Sequence, residues 1–356
     1  MIRRRYLSRM FLGRLLAALL GLAGLLQLLD LLDRASDVLQ RGDLADLGRY
    51  ALLRLPSIFG RAMPIAVLVA GLLTFRNLAM TLEMTALRAS GVSVWGVLRT
   101  LLPACLLATL FQAAMLNGIA PQTERRLAEW FAATDGRVVQ KTAPAPPRRL
   151  WLRSGVDIVG VDSISLDGRQ LNGVLVVRRD AEGLTLFRTQ AATATWGTGG
   201  WTLHQARTAR PQQPRLEQAT EQPWPEGPPP SQFIDLARPT DAQQPQALIQ
   251  SLQGQRATTR APSYYLTRLH QAAVQLLEPF IMVLLAAPVV YAMPRRGAQA
   301  GRPLLCLALG LSYLLLAGLM GALGEVNAIT AVLAGWASPA IFGTLGVVLL
   351  LQLEES

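Results

Sequence analysis

Few residues in this chain could carry chemistry, and most catalytic sets are incomplete. Its one lysine, Lys141, follows Gln140 rather than a glycine. The phosphate loop, whose lysine must follow a glycine and reach bound phosphates, is therefore missing, and ATP hydrolysis by that motif is excluded. His204 and His270 are too few and too far apart to suggest a metal site. No G-x-S-x-G elbow is present, so the usual acyl-hydrolase nucleophile is missing too. Catalysis, a metal and a resident cofactor are not expected; transport, scaffolding and binding remain.

Two carboxylates stand out. Glu83 is the only acid in the stretch Arg76 to Arg99, RNLAMTLEMTALRASGVSVWGVLR. From Leu78 to Ala89 this stretch has no Gly or Pro and predicts a short helix. Ser90-Gly91 should end that helix, and Ser93 should cap the next. The helical neighbours of Glu83 are Ala79, Met80, Ala86 and Leu87, so no cation of its own helix can pair with it. The residues alone leave two readings: a carboxylate that meets a basic partner on another chain, or a solvated side chain on an interfacial helix. Glu278 precedes Pro279 inside an apolar run. Proline there should kink the helix. A charge at span centre costs at least about 3 kcal/mol, so Glu278 should face a wet cavity, a partner or the bundle interior.

The elements that position these residues are apolar runs. Half of the 356 residues are hydrophobic (51%), with a mean hydropathy of +0.31, too apolar for an ordinary soluble protein. Residues 1 to 14 hold Arg3, Arg4, Arg5, Arg9 and Arg14 and lead into LLAALLGLAGLLQLLDLL. That run exceeds a signal-peptide core of roughly 7–15 residues and lacks a small-x-small cleavage site, so it reads as a first span. Residues 33 to 55 read as a short external connection. Further spans follow at about Ile58 to Phe75 with Pro64, Val97 to Ile119 with Pro103, Ala272 to Met293, Pro303 to Leu323, and Ala328 to Leu351.

Between spans three and four the composition turns polar. WLRS, VDIVGVDSI, LNGVLVVRR, LTLFRTQAATATW and WTLHQAR read as strands. Turn signals separate them at Asp167-Gly168, Ala181-Glu182-Gly183 and Gly197-Thr198-Gly199-Gly200. This suggests a small sandwich or jellyroll, in which Trp151, Trp196 and Trp201 serve packing rather than a ligand cage. Arg210 to Pro230 holds seven prolines and reads as an irregular or extended segment. Residues 241 to 255 suggest a short helix, against which Pro245 argues.

Net charge is +11, but the basic residues flank apolar runs rather than form a nucleic-acid patch. Segments 1–14, 76–99 and 295–302 are basic, whereas 30–61 has five Arg and five Asp. The positive-inside rule then gives six spans, three plus three, with both termini inside and the β domain outside. Cys105 and Cys306 lie within apolar runs, so no disulfide framework is indicated.

Several words along the chain resemble the lipopolysaccharide export permeases of the LptF/LptG (YjgP/YjgQ-type) family. They are RYLSRMFL, LRLPSIFGRAMPIAVLVAGLL, EMTALRASGVS and IAPQTERRLAEWF, and the resemblance is weakest at 205–262. It implies an α-helical membrane protein of six transmembrane helices with an inserted periplasmic β-jellyroll. The implied divisions are 1–120 (with a coupling helix near 78–90), 121–262 and 263–356. It implies a non-catalytic subunit in the bacterial inner membrane, paired with an LptF-like permease around a lipopolysaccharide cavity. A dimeric LptB-like ATPase would supply ATP binding, and an LptC-like membrane protein and periplasmic bridge would receive the lipid.

On the same basis Glu83 would couple to the ATPase, with Arg76, Leu87 and Arg88 beside it. Gln27, Asp30, Arg34 and Glu278 are the lipid-cavity candidates. WLRSGVDIVGVDSISLDG and AGWASPAIFGTLGVVLL look more LptG-like than LptF-like. QLLDLLDRASD departs from the family, since Arg34 stands among acids where several basic residues are common. Rival readings are a permease of another envelope exporter, for lipoproteins or peptides, where four spans are usual, and a membrane-anchored binding module.

Overall fold

A computed structural model of the chain describes residues 2–40, 42–138, 149–154, 156–165, 168–180, 184–211, 213–230, 232–233, 245–253, 260–291 and 301–355. Lys141, Asp167, the 181–183 turn and Arg295-Arg296 lie outside the described residues. Contacts divide the chain into two units, 1–127 with 266–356, and 128–265.

The chain opens with two very long helices, α1 (Ile2–Leu39) and α2 (Leu44–Met80). The external connection expected over 33–55 shrinks to the residues between them. At about 1.5 Å per residue each helix is over 50 Å long, well beyond the ~30 Å hydrocarbon layer. The polar residues 33–39 and 44–55 therefore continue the helices instead of leaving them. The Asp43 backbone N–H donates to the Asp46 carboxylate at 3.1 Å, which fixes the start of α2. Helix α2 runs through both Pro56 and Pro64.

Next come α3 (Glu83–Ala89) and α4 (Val94–Ala113), a π-helical segment (Ala114–Ile119), and α5 (Ala120–Val138). The third span thus continues without a stop into the charged IAPQTERRLAEWF word.

The first unit is completed by a broken helix and a hairpin. The strands and α6 (Pro245–Leu252) of the other unit intervene in sequence, and then come α7 (Pro262–Val274) and α8 (Glu278–Ala286), the latter running on as a 3-10 turn to Tyr291. Helices α7 and α8 are bent by 53°. The break falls on Gln275–Leu277, one turn before Pro279, where proline removes the helical donor. Helices α9 (Gly301–Glu325) and α10 (Ala331–Glu355) end the chain. Among the described residues five helices are long and apolar enough to cross a membrane, six if the bent pair counts as one span.

Burial ranks these helices. The apolar window of α2 is 72% buried, whereas those of α1 and α9 are 22% buried, so α2 is the core and the other two leave leucine faces outward. Glycine allows the close approach. A Cβ on Gly71 would meet the Ala286 Cβ at 2.9 Å, and one on Gly310 would meet Leu68 at 2.2 Å.

The second unit holds a seven-stranded antiparallel sheet. Its strands are β1 (Leu150–Ser154), β2 (Asp157–Val161), β3 (Ser163–Ile164), β4 (Gln170–Arg179), β5 (Thr185–Gly197), β6 (Gly200–Arg210) and β7 (Gln213–Trp224). They pair in the order β1-β2-β4-β5-β6-β7, with β3 also on β4. The described strands thus form the small antiparallel sheet unit expected between the two helical halves. The segment from Arg210, expected to be irregular, supplies β7. Its Pro214 and Pro223 are tolerated because β7 is an edge strand. Pro245 starts α6 rather than opposing it, since the first helical position needs no N–H.

One face of the sheet is buried around Trp201, with Trp196, Trp224 and Phe233 within 5.4–6.5 Å centroid to centroid. The Trp201 indole N–H donates to the Pro228 carbonyl at 2.7 Å. Trp151 instead stands 47% exposed under the Arg149 guanidinium.

Candidate functional site

Glu83 is the first residue of α3, not a mid-helix residue. The helix expected from Leu78 breaks at Thr81–Leu82, where Leu82 has a φ of 57°. The far end behaves as expected. Gly91 has a φ of +79°, and the Val92 N–H reaches back to the Leu87 carbonyl at 3.0 Å, as in a Schellman cap. Ser93 accepts the Gly96 N–H at 3.3 Å and starts α4.

These two punctuations hold a seven-residue helix between α2 and α4. Met84 is buried and Leu87 half-buried against the core, while Thr85, Ala86, Arg88 and Ala89 are exposed. Glu83 is half-buried and makes no ion pair among the described residues. Leu87 thus faces the protein's own core. Arg88 lies over the Tyr291 ring, 5.3 Å from its centroid, and Arg76 is exposed near the end of α2.

The cavity candidates fall into two separate groups. Asp30 accepts the Tyr50 hydroxyl at 2.7 Å and faces the Arg54 guanidinium at 3.6 Å. Arg54 also reaches Glu124 at 3.4 Å, and the Ser57 hydroxyl donates to the same carboxylate. Glu124 is 5% exposed, so this network joins α1, α2 and α5 in a poorly solvated place. Asp30 is thereby already committed to protein partners. Gln27, one turn earlier on α1, has both amide atoms buried without a partner. Arg34 is exposed and pairs with Asp37 at 3.8 Å.

Glu278 forms the second group. Gln112 of α4 donates to its carboxylate at 3.0 Å. Thr109, one turn away, donates to the Leu276 carbonyl inside the α7–α8 break at 3.4 Å. Gln112 and Glu124 are on one continuous helical run, about 18 Å apart at 1.5 Å per residue.

Arg54, Ser57, Glu124 and Gln112 were not singled out from the sequence. A signal existed: LRLPSIFGR supplies Arg54 and Ser57, and IAPQTERRL supplies Glu124, so two of the words that carry the family resemblance meet in one network.

His204 shares a 2.8 Å hydrogen bond with Thr195 on the sheet. His270 accepts the Trp336 indole N–H at 3.3 Å. Among the described residues no three His, Cys, Asp or Glu side chains are grouped to hold a metal.

Apolar spans around a central buried helix, together with a separate antiparallel sheet, define a polytopic membrane protein. Residues 5–352 match the family model of the lipopolysaccharide export system permease LptF/LptG. The chain belongs to that family of permeases. None of the curated proteins compared with the chain matches it.

Proposed function

We propose that this chain is the LptG-like transmembrane subunit of an ATP-driven exporter in the bacterial inner membrane. It takes lipopolysaccharide from the outer leaflet and passes it to a periplasmic bridge. An LptF-like permease completes the cavity, a dimeric LptB-like ATPase supplies the work from the cytoplasm, and an LptC-like protein receives the lipid beside the β unit. The termini and α3 are cytoplasmic in this reading, and the sheet is periplasmic. The arginines of residues 1–14 and 76–99 support that orientation.

One observation carries the reading: Glu83 opens a short capped helix, makes no ion pair among the described residues, and stands on a base of Met84 and Leu87. A partner's cation meeting that carboxylate moves a rigid peg wedged between α2 and α4. Arg76 and Arg88 add charge near it, while Leu87 transmits the push into the core. Closure then squeezes the lipid cavity, with acyl chains against apolar faces of the spans. Among the rim candidates, Arg34 is the cation for headgroup phosphates, and Gln27 offers an unpartnered amide.

The test is ATP-driven release of lipopolysaccharide from proteoliposomes holding the full complex. Glu83→Ala should lower release at least about tenfold, the effect of losing roughly 1.4 kcal/mol of coupling. Normal assembly with the ATPase and undiminished release would contradict the coupling role.

A further inference from the structure

The break between α7 and α8 holds Glu278, a cavity candidate that stands apart from the Asp30–Arg54–Glu124 network. Glu278 lies inside the fourth span. Helices α2, α4, α9 and α10 pack against α8. The Gln112 amide donates to the Glu278 carboxylate, and the carboxylate lies close enough to Tyr313 of α9 for its charge to act on that hydroxyl; neither neighbour is charged. A bare carboxylate in such a place costs several kcal/mol.

Two further polar atoms at this place have no partner. Gln112 is 3% exposed, and its Oε1 makes no hydrogen bond although its Nε2 is held by Glu278. Tyr313 is fully buried and its hydroxyl is also unpartnered. Buried polar atoms in native structures are normally satisfied, so these two atoms offer spare hydrogen-bonding capacity close to the Glu278 carboxylate.

The backbone has the form such an occupant needs. The span is interrupted at 275–277, where the Leu276 carbonyl leaves the helical ladder and accepts the Thr109 hydroxyl. Directly after Gln112 and Ala113 the neighbouring span becomes π-helical over Ala114–Ile119, a deformation frequent at functional sites. Broken helices inside membranes present carbonyls and helix ends to small cations.

We propose that Glu278, Gln112 and Tyr313, with the broken backbone of span four, form an intramembrane site for one small monovalent cation, a proton or a sodium ion. The site charges and discharges as the break opens to water. It does not depend on which lipid is exported.

The experiment uses the full chain in detergent micelles with dicyclohexylcarbodiimide, an apolar reagent that modifies protonated carboxyls, and maps the product by mass spectrometry. Labelling at Glu278 should fall about tenfold per pH unit above a midpoint, and Glu278→Gln should abolish it. If sodium chloride slows labelling where choline chloride does not, sodium is the occupant. If only pH matters, the occupant is the proton. Gln112→Leu and Tyr313→Phe should each move the midpoint or the sodium concentration for half-protection by at least about threefold, and they keep the test open if Glu278→Gln fails to fold. Absence of labelling at Glu278, or labelling indifferent to pH, sodium and both neighbouring variants, would overturn the site.

Discussion

Arg178 governs the charge balance of the β unit. Its guanidinium grips Asp157 through two hydrogen bonds of 2.8 Å, meets Glu226, and lies over Phe187. Asp157 is 3% exposed, so an Arg178→Ala variant leaves a buried carboxylate without its partner. Unfolding of the β unit by urea, followed by tryptophan fluorescence of the full chain, should show a loss of about 3 kcal/mol. A change under half of that would mean that Glu226 and the sheet do not depend on this cation.

Arg149 does a smaller version of the same work at Asp162, holding the carboxyl below its ordinary 3.8 through hydrogen bonds of 2.7 and 3.2 Å. The stabilisation from a depressed carboxyl is complete above its unfolded value and disappears as pH falls through the folded one. Urea midpoints measured at about neutral pH and at about pH 3 should therefore diverge, and Asp162→Asn should narrow the gap. An equal gap in both proteins would remove Asp162 from the acid response.

At the scale of elements, close backbone approach holds the spans. Gly71→Val adds its Cβ 2.9 Å from that of Ala286, where the partner is a methyl on a buried helix and cannot swing away. Overpacking of this kind costs about 1–3 kcal/mol. A thermal melt in detergent should drop accordingly, and an unchanged melt would show that α2 and α8 are not in contact.

The same scale shows what was legible. Apolar runs revealed the spans because a bilayer demands a length, and Ser90-Gly91 and Ser93 were readable because caps are local chemistry. The lengths of α1 and α2 were hidden, since polar helix beyond a membrane looks like a connection. Strand β7 was hidden by its prolines, which only an edge position excuses. At the site, Glu83 stood out through what its helix lacks. The Arg54–Glu124 and Gln112–Glu278 pairs were invisible because each joins residues distant in sequence, and only packing decides which face of α4 or α5 meets α2 or α8.

For the whole molecule, the chain belongs to a permease family and its sequence holds no phosphate loop, which supports our proposal that its work comes from a second protein. That proposal is the central claim. Affinity purification of the full chain in mild detergent, followed by mass spectrometry of proteins and bound lipid, tests it most directly. A nucleotide-binding ATPase, a second permease of the same family and lipopolysaccharide should elute with it in fixed ratio. A chain that elutes without an ATPase or lipid, or that hydrolyses ATP alone, would contradict the account.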